Sequence, residues 1–373
     1  MSEMQRRDFL KFGLAAGAMA AVATFPAKPA KAAYTRATVE QINEMTPQQM
    51  AEASGLVMAG WESLQATAAK IRNPRIRATV QDILSNPAPT VMKKIGSSEK
   101  KEIHRELTAK GLLKDVSQAD FLPPAKSASK APQPFYSAPG SGYGSHHSYP
   151  GGLITHTDVN VRVSMALYEG YRDVYDYLLD RDVVIASQLL HDLHKPWVFQ
   201  WDRDGASRNE RALAGTGEHH PLGVAESIAR GLPAEVCVAQ ACAHNHPRTP
   251  ADEAQVVGWL QTAAILNGID PVSYGLLEAG GKTLPLPRRQ EGFVCHLGDH
   301  DWVLTVPAAQ WIIPEMQKIA QRDYKIGKND VKAFNAFRNY VFSQATVMAL
   351  YETYASKGEA ELTRTVHSIV APA

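Results

Sequence analysis

An apolar run from Val183 to Leu190 ends on His191-Asp192. The run holds no charge and sits in no strand-like alternation, so it reads as a helix that must be buried. Its end carries an imidazole and a carboxylate side by side. Both are costly to bury without a partner, and a divalent cation is the usual one. On its own such a pair more often caps a helix or bonds to neighbours. The surrounding pattern decides between the two.

The chain opens on a different kind of segment. Gln5 to Gly13 reads QRRDFLKFG, a weakly polar apolar stretch follows from Leu14 to Phe25, and Ala30-Lys31-Ala32 precedes Ala33. This is the layout of a twin-arginine export signal, residues 1–32, cleaved near Ala32. The apolar stretch is shorter than the roughly 18 residues a spanning helix needs, so no permanent membrane anchor is expected. No cysteine near the cleavage point supports lipid attachment. The expected location is the periplasm, reached through the twin-arginine machinery. That route moves folded proteins, so a metal can be chosen before periplasmic zinc and copper compete for it.

Removing residues 1–32 leaves 34 basic and 36 acidic side chains, a net charge of −2. No basic excess points to nucleic acid. Cys237, Cys242 and Cys295 form no CxxC pattern and read as buried thiols, with one periplasmic disulfide the alternative. Residues 33–121 are patterned as helices. Thr38 with Gln41 has capping-box spacing, and Thr46-Pro47 looks like a second helix start. Trp61 reads as a packing anchor. Residues 122–144, rich in Pro, Ser and Gly, read as a connector and domain boundary. Phe135 and Tyr143 in it are candidates for packing beside a site opening. Residues 145–310 hold most of the histidines. Residues 311–373 return to helix, with Phe334, Phe337, Tyr340, Val341, Ala345 and Met348 as a core-facing stripe. The fold class is all-α, with no phosphate loop, no GxSxG and no internal repeat.

Five stretches between residues 146 and 301 carry metal-ligand types. They are His146-His147 through His156, His191-Asp192 with His194-Lys195, Glu218-His219-His220-Pro221-Leu222-Gly223, His244-Asn245-His246, and Cys295-His296 through Asp299-His300-Asp301. The last four end or interrupt apolar helical runs, which is how helical bundles build metal sites.

The order His, His-Asp, His, His, Asp resembles the HD-domain superfamily of metal-dependent phosphohydrolases. His156 resembles its first histidine. His191-Asp192-Leu193-His194-Lys195 resembles the HD-x-G-K form, with His194 where Gly is usual. His220-Pro221-Leu222-Gly223 resembles the H-P-x-x-G stretch of two-metal members, and the opening HHSYPGGLITHT resembles that of HD-domain exoribonuclease-like proteins. The resemblance covers about residues 145–310. It implies an HD-domain helical bundle, with extra helices before and after it.

The implied metal ligands are His156, His191, Asp192, His220, His244 and Asp299. The rivals are His219 for His220, His246 for His244, and Asp301 for Asp299. Asp301 is expected to be salt-bridged or solvent-facing instead. Asp192 and Lys195 would carry the chemistry, Lys195 by neutralising substrate phosphate. His194, His147 and Arg162 are candidate substrate contacts, and Tyr149 is a candidate to face the pocket. Cys295, His296 and His300 would act behind the ligands at most. Mixed N/O ligation suits one or two ions of Mn, Fe, Zn, Co or Ni, and loading before export favours Mn or Fe. The implied reaction is cleavage of a small-molecule phosphoester by metal-activated water. No Gly-Tyr-Pro follows His244, which argues against cyclic dinucleotides. The other readings are an HD-type di-iron oxygenase and a non-catalytic metal-binding HD module.

Overall fold

The structure is a computed structural model that describes residues 33–286 and 288–372; the export segment 1–32 lies outside them. Helices begin where short polar side chains can cap them. Thr38 and Gln41 close a capping box on α1 (Val39–Glu44), and Thr46 and Gln49 close another on α2 (Pro47–Glu52), with Pro47 at its first position. Each box satisfies two amides that the helix leaves unpaired. Ser54 and Asn73 cap α3 (Gly55–Ala68) and α4 (Pro74–Ser85), and α5 (Ser97–Ala109) follows. The stretch 122–144 contains no α-helix. Its Phe135 is buried and stacks on Trp61 at 6.1 Å, while Tyr143 donates to Asn335.

The histidine-rich part builds α6 (Gly152–Tyr175), α7 (Arg181–Leu190), the short α8 (Lys195–Val198), α9 (His219–Ala229), α10 (Ala234–Cys242), α11 (Pro250–Asn267) and α12 (Arg289–Gly298). The strands among the described residues are a two-residue antiparallel pair, β1 (Ala212–Leu213) and β2 (Thr216–Gly217). The protein is essentially all-α, as its patterning predicts. No described helix is long and apolar enough to cross a membrane.

The helix α7 is buried from Asp182 to Leu190, the place for a helix apolar on every side. Asp180 caps it, and the Asp182 carboxylate accepts the amides of Arg72 and Asn73 in the turn between α3 and α4. The start of α7 is thereby fixed, and His191 and Asp192 follow its other end.

Residues from Tyr34 onward form one compact unit. The larger core joins α3 and α4 to the histidine-bearing helices, as in the contact set of Val57, Leu64, Val80, Leu153, Ile185 and Leu189. A second core joins α1 and α2 to α13 (Trp302–Tyr324), α14 (Val331–Ala345) and α15 (Val347–Ile369). Phe334, Phe337, Tyr340, Val341 and Ala345 are buried on one stripe. Met348 is only partly buried, because the helix breaks at Thr346 (φ 58°, ψ 152°) and restarts in a new direction. All three cysteines are buried thiols outside any disulfide.

Two buried charges pin segments of the fold to one another. Arg338 on α14 donates through Nη2 to the carbonyl and hydroxyl of Ser148 at 2.6 and 2.7 Å. Its guanidinium lies 4.9 Å from the Tyr143 ring and 5.7 Å from the Phe342 ring. No carboxylate pairs with it among the described residues. Glu226 on α9 accepts from Thr90 Oγ1, the Val91 amide and Arg230 Nε.

Burial by itself would raise the Glu226 carboxyl. His194, Thr90 and the Val91 amide outweigh burial and hold it down to about 2. A carboxyl depressed in the folded state stabilises above its unfolded pKa and loses that contribution as pH falls through the folded value. Glu226 should therefore supply on the order of 3 kcal/mol at neutral pH, lost between about pH 4.5 and 2. Denaturant unfolding of wild type and Glu226→Gln at pH 7 and pH 3 tests this. The gap between the two proteins should shrink at pH 3.

Candidate metal centre

The loop before α6 sets the first ligand. His147 takes a left-handed backbone (φ 51°), and Gly151 another (φ 82°). A Cβ on Gly152 would collide with the His147 carbonyl oxygen, and one on Gly151 with Val57. The Gly-Gly pair is therefore required where the loop folds under the helix start. One turn into α6, His156 points inward and is buried.

Three imidazoles are aimed at Asp192 by what holds their other nitrogen. His191 Nδ1 lies 2.7 Å from the Gln188 carbonyl, so it donates there and leaves Nε2 free as an acceptor. His156 Nδ1 lies 2.9 Å from Asp301 Oδ1, and His219 Nδ1 lies 2.6 Å from Glu210 Oε2. The Nε2 atoms of His156 and His191 each lie 3.1 Å from Asp192 Oδ2, and that of His219 lies 3.3 Å from Oδ1. His244 completes the second side, with Nε2 3.6 Å from Asp192 Oδ1 and Nδ1 3.2 Å from Asp299 Oδ2. Asp299 Oδ1 lies 3.1 Å from His156 Nε2 and 3.5 Å from His191 Nε2. Each oxygen of Asp192 thus faces its own imidazole cluster.

This donor set fits a divalent cation. Asp192 Oδ1 and His244 Nε2 are buried without an aligned hydrogen bond, while Asp192 Oδ2 is ion-paired with Lys195. Orphaned atoms of this kind in a native core call for an ion or a water. Within each of three triads the donor atoms lie within 4.8 Å of one another: His156-His191-Asp299, His219-His220-His244 and His147-His156-Asp301. The charges agree. Burial would lower the His191 imidazole, but Asp192 and Asp299 push it up to about 9. Burial would raise Asp192, but His191 and Lys195 hold it well below the carboxylate range. The negative charge of the two carboxylates favours positive charge between them, as a cation would supply.

The remaining predicted residues divide. Lys195 is buried, with Nζ 2.5 Å from Asp192 Oδ2 and 2.6 Å from the Gly140 carbonyl, and it lines the cavity. His220 also lines it, stacked on His244 at 3.8 Å with Nδ1 on Thr216. Of the two adjacent histidines, it is His219 that reaches Asp192. His246 turns away, toward Asp252 and the His296 ring. Asp301 is mostly buried and bridges His147 Nε2 and His156 Nδ1. His147 therefore acts through Asp301, with Tyr149 buried behind it.

Two expected substrate contacts lie elsewhere. His194 follows a turn, not a helical step, after His191, and its ring packs on Trp197 near Glu226. Arg162 is exposed on the far face of α6 and bonds Asp158 and Ser63.

Two contributors, Asn160 and Glu210, escape sequence reading, and His146 is named in the first of the five stretches but given no role. Asn160 donates to Asp299 Oδ1 at 2.7 Å from between His156 and His191. Its one signal is its place four residues after His156, on the same helix face. His146 lines the cavity, and Glu210 orients His219 from nine residues upstream with no motif to mark it. Removing such an outer partner typically weakens metal binding about 10- to 100-fold. Glu210→Ala should show that loss in a competition titration against a metallochromic chelator, with the helical circular dichroism unchanged.

The cavity over this cluster measures about 340 Å³. That is the small end of the roughly 300–1,000 Å³ of small-molecule sites.

Comparison with known proteins gives two findings. A family profile described as the twin-arginine translocation pathway signal sequence matches residues 3–23, which marks the chain for export to the periplasm. The chain is 30% identical over 148 residues to a dihydroneopterin 2′,3′-cyclic phosphate phosphodiesterase of Methanocaldococcus jannaschii. The match covers 39% of this chain and 58% of that relative's length. No solved structure matches. By its signal, its helical fold, its His/Asp cluster and this relative, the chain is an exported protein that resembles the HD-domain phosphohydrolases.

Proposed function

We propose that this chain hydrolyses small phosphodiesters, cyclic phosphates among them, with one or two divalent cations. The ligands would be His156, His191, Asp192 and Asp299, with His244 and the His219-His220 pair on the second side. The observation that carries this reading is the pair of imidazole clusters facing the two buried oxygens of Asp192. A cation bound there supplies a water acidic enough to be a nucleophile near neutral pH and takes up charge on the phosphoryl oxygens. Asp192 and Asp299 hold charge at the floor of the cavity. Lys195 fixes the Asp192 carboxylate and anchors the Gly140 loop. Asp301 and Glu210 keep His156 and His219 in one tautomer.

The phosphodiesterase relative supports a diester over a monoester. Lys195 is the one Lys or Arg lining the cavity among the described residues, and it already bonds Asp192 and Gly140. Phosphate charge would therefore be met by the bound cations and not by a free side chain.

The test is metal analysis of anaerobically purified protein, followed by assay on bis(4-nitrophenyl) phosphate, 4-nitrophenyl phosphate and a 2′,3′-cyclic nucleotide. The diesters should be cleaved faster than the monoester. Oxygen uptake with an iron chromophore and no ester cleavage would sink the proposal.

A further inference from the structure

The cavity lining includes Ser141, Ser145, His146 and His296 besides the proposed ligands, and it carries one exposed aromatic side chain that the metal centre does not use. Trp302 is the first residue of α13, three positions after Asp299. It lines the cavity yet is 46% exposed. Its ring leans on His300 at 6.1 Å and 34°. Its indole N–H has no hydrogen-bond partner among the described residues. An exposed tryptophan is unremarkable by itself. One seated at the rim of an imidazole-lined cavity, on a backbone fixed by Asp299 and Asp301, holds a set distance from the reacting centre. Phe199 supplies a second aromatic wall from the loop after α8.

The single lining cation is committed to Asp192 and Gly140, so charge is not what would recognise the rest of the substrate. The exposed indole of Trp302 offers flat aromatic surface there. We infer that Trp302 is a stacking shelf, and that the substrate is a phosphoester carrying a planar aromatic or heteroaromatic group on its alcohol side. This rests on the phosphodiesterase reading above for the reaction, though not for the binding. A small aliphatic phosphoester would leave the indole bare. A long polynucleotide exceeds what the cavity encloses.

The experiment compares two cyclic phosphates with the same reacting ring: adenosine 2′,3′-cyclic phosphate and glycerol 1,2-cyclic phosphate. In the metal-loaded wild type the adenosine compound should have the higher kcat/KM. Trp302→Ala should lower that preference about tenfold, the size typical of lost base stacking, and Trp302→Phe should keep most of it. An unchanged preference in Trp302→Ala overturns the shelf.

Calorimetric binding of adenosine 2′-monophosphate and ribose 5-phosphate to the same proteins separates the two proposals. If nothing is hydrolysed but adenosine 2′-monophosphate binds more tightly, and Trp302→Ala erases the difference, the shelf stands and the hydrolase reading falls. If the wild type binds both alike, the shelf falls.

Discussion

Asp192→Ala is expected to lower kcat/KM on a phosphodiester by about a thousandfold or more, equivalent to roughly 4 kcal/mol of transition-state stabilisation. The reason is geometric. Both Asp192 oxygens are shared, one facing His156 and His191, the other facing His219 and His244. Removing them takes a ligand from each cluster and leaves Lys195 with only the Gly140 carbonyl. Metal content should fall in parallel, measured by elemental analysis after dialysis. A readout independent of turnover is the melting temperature. Added Mn²⁺ should raise it in the wild type through binding to the folded state, and should not in the variant. A variant that keeps full metal content and activity would show that Asp192 is not the shared ligand.

Arg338→Ala is expected to destabilise the protein by roughly 3–5 kcal/mol, because it leaves the Ser148 carbonyl unpaired and opens a cavity against Tyr143 and Phe342. Burial pulls the guanidinium down to about 10, so it remains charged at neutral pH. Arg338→Met keeps most of the bulk and spares the desolvation of a cation, so it should recover much of the loss. The two variants part company in stability but share a loss of metal affinity. Both release Ser148, next to His147, whose bond to Asp301 holds the Nδ1 side of His156. Metal titrations should therefore show weakened binding even in the methionine variant, while denaturant unfolding shows it close to wild type. Equal metal affinity in all three proteins would confine Arg338 to packing.

Most of the site was legible because its parts sit where sequence signals are strongest. The charge-free run before His191 could only be a buried helix, and a buried helix end has few places to put an imidazole and a carboxylate. The glycine pair before His156 marks a turn that no side chain tolerates.

What stayed illegible lies at the resolution of a single residue. Neighbours on a helix point about 100° apart, so a one-residue uncertainty in where a helix begins exchanges His219 for His220. The same uncertainty surrounds Asp299 and Asp301, which straddle the break between α12 and α13. His194 and Arg162 were misplaced for related reasons. The chain turns after His191, and α6 presents Arg162 on the face opposite His156. Asn160 and Glu210 carry ordinary polar side chains whose importance comes from tertiary neighbours alone.

The second core also joins the beginning and end of the described chain. The Ala37 amide donates to Ile369, the Ala371 amide donates back to Ala37, and Tyr340 donates to the Thr35 carbonyl. A chain made from one end cannot form these bonds until its last helix has left the ribosome. Closure of the bundle therefore waits for the last described helix, a step of high contact order and correspondingly slow. A nascent chain shortened at α15 would expose the apolar faces of α1, α13 and α14 together, so its expected fate is aggregation inside the cell.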